Sequence, residues 1–115
     1  MADLLVDTDV FIDHLRGHRA FDPGSDRVFY SVITRAELFA GRNTQDEVVA
    51  LLLAPFTEIT LDRKIAERAG MLRRNASIAL PDALIAATAL SRGMTLMTRN
   101  IADFAAVEGL EVRAV

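Results

Sequence analysis

The chain has no cysteine and no tryptophan, a single tyrosine and a single lysine, Lys64. Without cysteine there is no disulfide and no thiolate, so metal chemistry must rest on oxygen or imidazole donors. No apolar run approaches the roughly 20 residues of a membrane span. The start, M-A-D-L-L-V-D, has an acid where a secretory signal needs a basic region and a long apolar core. The expectation is a soluble, cytoplasmic protein. Neither G-x-x-x-x-G-K-S/T nor G-x-G-x-x-G occurs, which removes support for nucleotide-binding loops. A basic excess is missing too: the net charge of −3 argues against a generic nucleic-acid coat. It leaves room for an enzyme whose acidic pocket is neutralised by metal. With no internal repeat, low-complexity tract or long linker, one domain over residues 1–115 is expected.

Hydrophobic residues make up 51% of the 115, enough for a real core. The stretch Leu80–Phe104, L-P-D-A-L-I-A-A-T-A-L-S-R-G-M-T-L-M-T-R-N-I-A-D-F, organises the rest. Pro81 and Asp82 mark a helix start, where proline is tolerated and an acid meets the positive end of the helix dipole. Ala83–Leu90 is apolar except for Thr88, the pattern of a buried helix, and Gly93 stops it. Met94–Met97 is a short strand candidate. Upstream, Leu4–Val6, Val28–Tyr30 and Phe56–Leu61 are further strand candidates, and Leu110–Val115 a last edge strand. Thr8 or Asp9 is expected to cap a helix reaching Arg16. Ser31 or Thr34 is expected to cap I-T-R-A-E-L-F-A, Thr44 to begin a helix through Leu53, and Asp62 to cap one ending near Asn75. Strands alternating with helices predict an α/β fold, an open parallel sheet in the order 3-2-1-4-5 with helices on both faces.

Asp7, Glu37, Asp82 and Asp103 stand out as a possible single site. Asp7 directly follows the first strand, Asp103 follows the fourth, and Asp82 heads the buried helix. Glu37 has Ile33 and Ala40 as its helix-face neighbours, an apolar setting for a carboxylate. Taken singly, each has an ordinary reading as a cap, a turn residue or a solvated side chain. Taken together, they lie near strand ends on one edge of the sheet, where such folds bind ligands. Crowded carboxylates repel one another, and a divalent ion relieves this; hard oxygen donors point to Mg2+, with Mn2+ possible. His14 and His18 have zinc-like i,i+4 spacing, but Gly17 ends the helix between them and no third ligand is evident. A receiver-like phosphoacceptor domain would need a lysine after the last strand, and Lys64 lies elsewhere.

At these residues the chain resembles the PIN-domain ribonucleases, and among them the VapC-type toxins of toxin–antitoxin pairs. L-L-V-D-T-D-V-F-I-D, S-V-I-T-R-A-E-L-F-A-G, L-P-D-A-L-I-A-A-T-A-L and M-T-R-N-I-A-D-F carry the likeness, while residues 42–76 match only in helix pattern. The resemblance implies a PIN fold and metal-dependent endoribonuclease activity. It puts Asp7, Glu37, Asp82 and Asp103 on the family's four acidic positions, and Thr98 and Asn100 on polar positions that hold the acids in place. Asp7, Asp82 and Asp103 would be the metal ligands, and Glu37 a ligand or the group orienting the attacking water. Asp9 stands where asparagine or serine is more common, so it is a candidate extra acid. The implied partners are an RNA substrate, a second copy in a homodimer, and a VapB-type antitoxin. The antitoxin's helix would fill an apolar groove, with Val32, Phe39, Val48 and Leu52 as candidate walls. Arg16, Arg19, Arg35, Arg42 and Arg99 are candidate RNA contacts. The alternative is a catalytically inactive PIN-like module that binds nucleic acid or a partner without cutting.

Overall fold

Leu4, Leu5 and Val6 are completely buried, because strand β1 (Asp3–Val6) is the middle strand of the sheet. The computed structural model describes residues Met1–Val115. From β1 the chain runs through α1 (Thr8–Leu15), β2 (Arg27–Ser31), α2 (Val32–Phe39), α3 (Asp46–Leu53) and β3 (Thr57–Ile59). It continues through α4 (Arg63–Asn75), α5 (Leu80–Arg92), β4 (Thr95–Thr98), a 3-10 turn (Ile101–Phe104) and β5 (Val112–Ala114). The five strands are all parallel, in the order β3-β2-β1-β4-β5, as the alternation of elements requires.

Successive side chains of a strand point to opposite faces, and the core divides accordingly. Leu4 and Val6 pack with Phe11 of α1, Leu38 of α2 and Val49 and Leu53 of α3. Leu5 and Leu96 pack on the other face with Ile65 and Ala69 of α4 and Ile85, Ala86 and Ala89 of α5. Helices therefore cover both faces. Alanine fills much of the inner surface of α5, which lets that helix lie close to the sheet; Leu84 and Leu90 on its flanks are only partly buried.

Several boundaries differ from the sequence expectation, each because a nearby group competes. The cap of α1 is Asp7, not Thr8 or Asp9: its Oδ1 accepts from the Thr8 backbone N–H at 2.8 Å. Of the two expected caps of α2, Ser31 is the one used, through the Ile33 N–H, and Thr34 is buried inside the helix. Thr44 lies outside α3, since its hydroxyl donates to the Leu38 carbonyl and ties down the end of α2. Strand β3 is shorter than Phe56–Leu61; Phe56 turns inward to pack with Phe11 and Phe21. Asp62 caps α4 through the Ile65 N–H at 2.9 Å, as expected.

Two glycines give a test of these helix assignments. Gly93 ends α5 with a left-handed backbone, φ 65°, and Gly70 lies inside α4; a methyl group would meet nothing within 4 Å at either. Gly93→Ala should destabilise the chain by about 1–2 kcal/mol through backbone strain alone. Gly70→Ala should stabilise it by roughly 0.5–1 kcal/mol, because alanine favours the helix interior. Urea unfolding of the two variants should move the midpoint in opposite directions.

Candidate active site

The ladder between β1 and β4 delivers the first acid. Val6 lies beside Met97, and the Asp7 N–H donates to the Met97 carbonyl at 2.9 Å, which sets Asp7 next to Thr98. The chain leaves β1 toward β2 on one side and returns from β3 to β4 on the other, so the strand order reverses at β1, where such folds open a crevice at the carboxyl end. Asp7 is buried at that crevice, 6% exposed. Its Oδ1 is held by the Thr8 N–H and its Oδ2 by the Thr98 hydroxyl at 2.9 Å. Burial raises the Asp7 carboxyl, and the charges of Asp9 and Asp82 raise it further against those hydrogen bonds, to about 7.

Asp82 stands in the first turn of α5, which has no side-chain cap, so its carboxylate is free to face the crevice. Its carboxyl is raised as well, by burial first and then by Asp103, Glu37 and Asp9. The charges of Asp103, Glu37 and Asp9 are thus felt at Asp82, and those of Asp9 and Asp82 at Asp7. Asp103 is exposed in the 3-10 turn, which is anchored by Phe104, 1% exposed in the core beneath.

Glu37 is reached through hydroxyls. The Thr8 hydroxyl donates to Glu37 Oε1 at 2.6 Å and lies 2.9 Å from the Thr34 hydroxyl. Thr8 has one proton and gives it to the carboxylate, so Thr34 must be the donor to Thr8. Ile33 and Ala40 were the wrong neighbours from which to judge this carboxylate. Thr34, three residues before it, is the one that matters, and Glu37 itself is exposed at the mouth of the crevice. Thr8 was missed as a site residue. Its signal was available: a hydroxyl directly after a strand-end aspartate, where a helix begins.

Asp9 joins the site as a staple. Its carboxylate accepts from the Arg99 N–H (3.2 Å) and the Asn100 side-chain amide (3.1 Å), and one oxygen lies 3.2 Å from the Thr98 hydroxyl, whose one proton goes to the nearer Asp7. The Asn100 N–H in turn donates to the Thr98 hydroxyl at 3.1 Å. The start of α1 is thereby tied to the turn after β4, and Thr98 and Asn100 stand where they can fix the acids.

The arginines divide. Arg99 gives its guanidinium to the buried Asp13 at 2.7 Å. Arg35 is turned away from the acids: it pairs with Glu58 on β3 and donates to the Tyr30 hydroxyl at 2.9 Å. Arg19 donates to the Val115 carbonyl. Arg16 and Arg42 line a groove of 740 Å³ with Glu37, Ile12, Leu15 and Val48. Of the expected apolar walls only Val48 lines it; Leu52 packs against the core, and Phe39 is 38% exposed.

The chemistry of the donors, though not their spacing, suits a hard divalent cation. The set is all oxygen, and the ion pair that occupies Arg99 leaves the mutual repulsion at Asp7 and Asp82 without a neutralising side chain. No three acidic side chains are drawn together tightly enough to make a ligand set by themselves.

Comparison with known proteins agrees with the fold. The family model of the PIN domain matches residues 4–110. The chain is 38% identical to Ribonuclease VapC10 of Mycobacterium tuberculosis, over 94% of this chain and 90% of that one. Among solved structures, a toxin–antitoxin complex from Klebsiella pneumoniae is 34% identical with a TM-score of 0.80, covering 93% of this chain and 94% of the other. VapBC2 from Rickettsia felis, bound to a DNA fragment from its promoter, matches at a TM-score of 0.82 over 98% of both chains with 21% identity, a likeness of fold.

The raised Asp7 carboxyl makes a prediction about stability. A carboxyl raised in the folded state stabilises the fold fully below its unfolded value, and that contribution is lost as pH rises through about 7. In chelator, the chain should therefore be less stable at about pH 8 than at about pH 5, by up to about 2.5–3 kcal/mol. Asp7→Asn should flatten this dependence and be the more stable form at the higher pH. Urea titrations of both proteins across that range make the measurement; equal slopes with pH would show that Asp7 carries no such strain.

Proposed function

The chain belongs to the PIN-domain family, as a homologue of the VapC-type ribonucleases, and we propose that it is the toxin of a toxin–antitoxin pair: a metal-dependent endoribonuclease. The observation that carries this reading is the electrostatic coupling of Asp7, Glu37 and Asp103 to Asp82 at the carboxyl end of the central strand. Identity to Ribonuclease VapC10 along nearly the whole chain supports the activity class, a phosphodiester-cleaving hydrolase. The likeness to the toxin–antitoxin complex from Klebsiella pneumoniae supports a VapB-type antitoxin as partner.

Asp7, Asp82 and Asp103 would hold Mg2+ or Mn2+. Such an ion supplies Lewis-acid polarisation of the phosphoryl oxygen and acidifies a water near it. The chain's own groups do the positioning. Thr98 fixes one oxygen of Asp7 and Thr8 the other, so the carboxylate cannot turn out of the crevice. Glu37 has one oxygen anchored by the Thr8 hydroxyl, which leaves Oε2 to accept a proton from the attacking water and to aim it. Asp9 and Asn100 keep Thr98 in register. Single-stranded or looped RNA suits an open crevice better than an A-form duplex, whose deep groove side chains do not enter.

The groove lined by Ile12, Leu15, Val48, Arg16 and Arg42 adjoins Glu37. An apolar antitoxin helix lying there could bring a basic side chain to the acids and silence them. A homodimer and a cytoplasmic setting complete the proposal; no helix of the chain is long and apolar enough to cross a membrane.

Glu37→Gln tests the reading most directly. It keeps shape and loses charge, and the cleavage rate in a single turnover should fall on the order of a hundredfold or more. RNA affinity should stay level or rise, as negative charge leaves the crevice. Thr8→Val should lower the rate in the same direction and destabilise the chain by about 1–3 kcal/mol, because the buried Thr34 hydroxyl loses its acceptor. RNA bound but not cut by the unaltered chain with magnesium would favour the non-cutting module instead.

A further inference from the structure

The outer surface of α4 gathers basic side chains on an acidic protein. Arg63, Lys64, Arg68, Arg73 and Arg74 stand on this 13-residue helix against one acid, Glu67, while the whole chain has a net charge of −3. The helix turns Ile65 and Ala69 into the core, with Leu72 packed against it, and all five basic residues are exposed. None of them is in an ion pair, whereas Arg27, Arg35, Arg99 and Arg113 each hold a carboxylate. Arg73 and Arg74 in the last turn suit the negative end of the helix dipole, but Lys64 and Arg68 repel at i,i+4 spacing and only Glu67 offsets the positive charge along the helix.

The direction of α4 relates this surface to the acids. A short connection joins α4 to α5, and the two helices pack along their lengths in antiparallel fashion. Arg68 reaches Ser91 near the far end of α5, and Arg73 donates to the Ile78 carbonyl just before the turn that carries Asp82. The basic surface thus begins beside the acidic crevice and runs away from it for about 20 Å, the length of a helix of this size. No aromatic side chain stands on α4 to stack a base. Such a face grips phosphates without reading sequence.

We propose that the outer face of α4 is the backbone track for single-stranded RNA, receiving the strand on one side of the cleavage point. The proposal rests on the ribonuclease reading and extends it. Acids that hold metal also repel a polyanion, and α4 supplies the compensating attraction next to them. Contacts here contribute affinity and strand direction; the choice of cleavage point lies with the crevice itself.

The test uses the double variant Lys64→Ala/Arg74→Ala, which removes two exposed charges and substitutes the best helix former. The control is Arg27→Ala/Arg113→Ala, which removes two charges whose partners are Asp3 and Asp26. The measurements are binding of a labelled single-stranded RNA in chelator over a salt series, and cleavage with magnesium of that RNA and of a dinucleotide. On α4 the slope of log affinity against log salt should become shallower by about 1.4, as about 0.7 per lost phosphate contact requires, and the control should keep the parent slope. Cleavage of the long RNA should weaken through KM, and cleavage of the dinucleotide should not change. No RNA binding by the unaltered chain, or the same slope in both variants, overturns the track. So does loss of self-association in the α4 variant at unchanged RNA slope, which would make the face a contact between copies. A chain that never cleaves but shows the expected slopes keeps the track and removes the nuclease reading.

Discussion

A carboxylate buried at the end of the central strand is the constraint around which the rest of this structure is arranged. Asp7 has left water, has Asp9 and Asp82 pressing on it, and has no cationic side chain to balance it. Two hydrogen bonds keep it in place, one from the first N–H of α1 and one from Thr98 on the neighbouring strand. Pure stability would not select this arrangement, since desolvated like charges oppose folding. It is the arrangement that the proposed cation site would require.

The fold meets the constraint through its topology. A parallel sheet brings the carboxyl ends of all strands to one edge, and the strand order reverses at β1, where such folds bind ligands. Threonine hydroxyls then carry order outward from Asp7. Thr98 accepts from Asn100, whose side-chain amide holds the Asp9 carboxylate, on one side, and Thr8 and Thr34 lead to Glu37 on the other. These small side chains have few rotamers, so each acid is held with little flexible chain between it and the sheet. Charge is distributed to match: acids gather in the crevice, Asp13 restrains the nearby Arg99, and unpaired basic residues collect on α4.

The strand–helix alternation, the order of the sheet, the buried helix headed by Pro81 and Asp82, and the helix stop at Gly93 were all legible in the amino-acid order. Each depends on short-range chemistry: apolar runs of strand length, caps, and the left-handed freedom of glycine. The acids were legible for a related reason, because each sits at a fixed offset from an element end, and topology brings element ends together. Motif resemblance then gathered them into one family pattern.

What the tertiary structure alone decided is which polar groups meet. Thr8, Asp9 and Thr34 all read locally as possible helix caps, yet a hydroxyl or carboxylate takes whichever partner packing brings within reach. Here those partners are Glu37, the turn at 98–100, and Thr8, at sequence separations that no local pattern encodes. Arg35 and Arg99 were likewise indistinguishable as sequence; Glu58 and Asp13 claimed them only once β3 and α1 were in position. Periodicity and capping determined the elements and the acids at their ends. The contacts between those ends were decided by the folded sheet, because hydrogen bonds and ion pairs depend on distance in space and not along the chain.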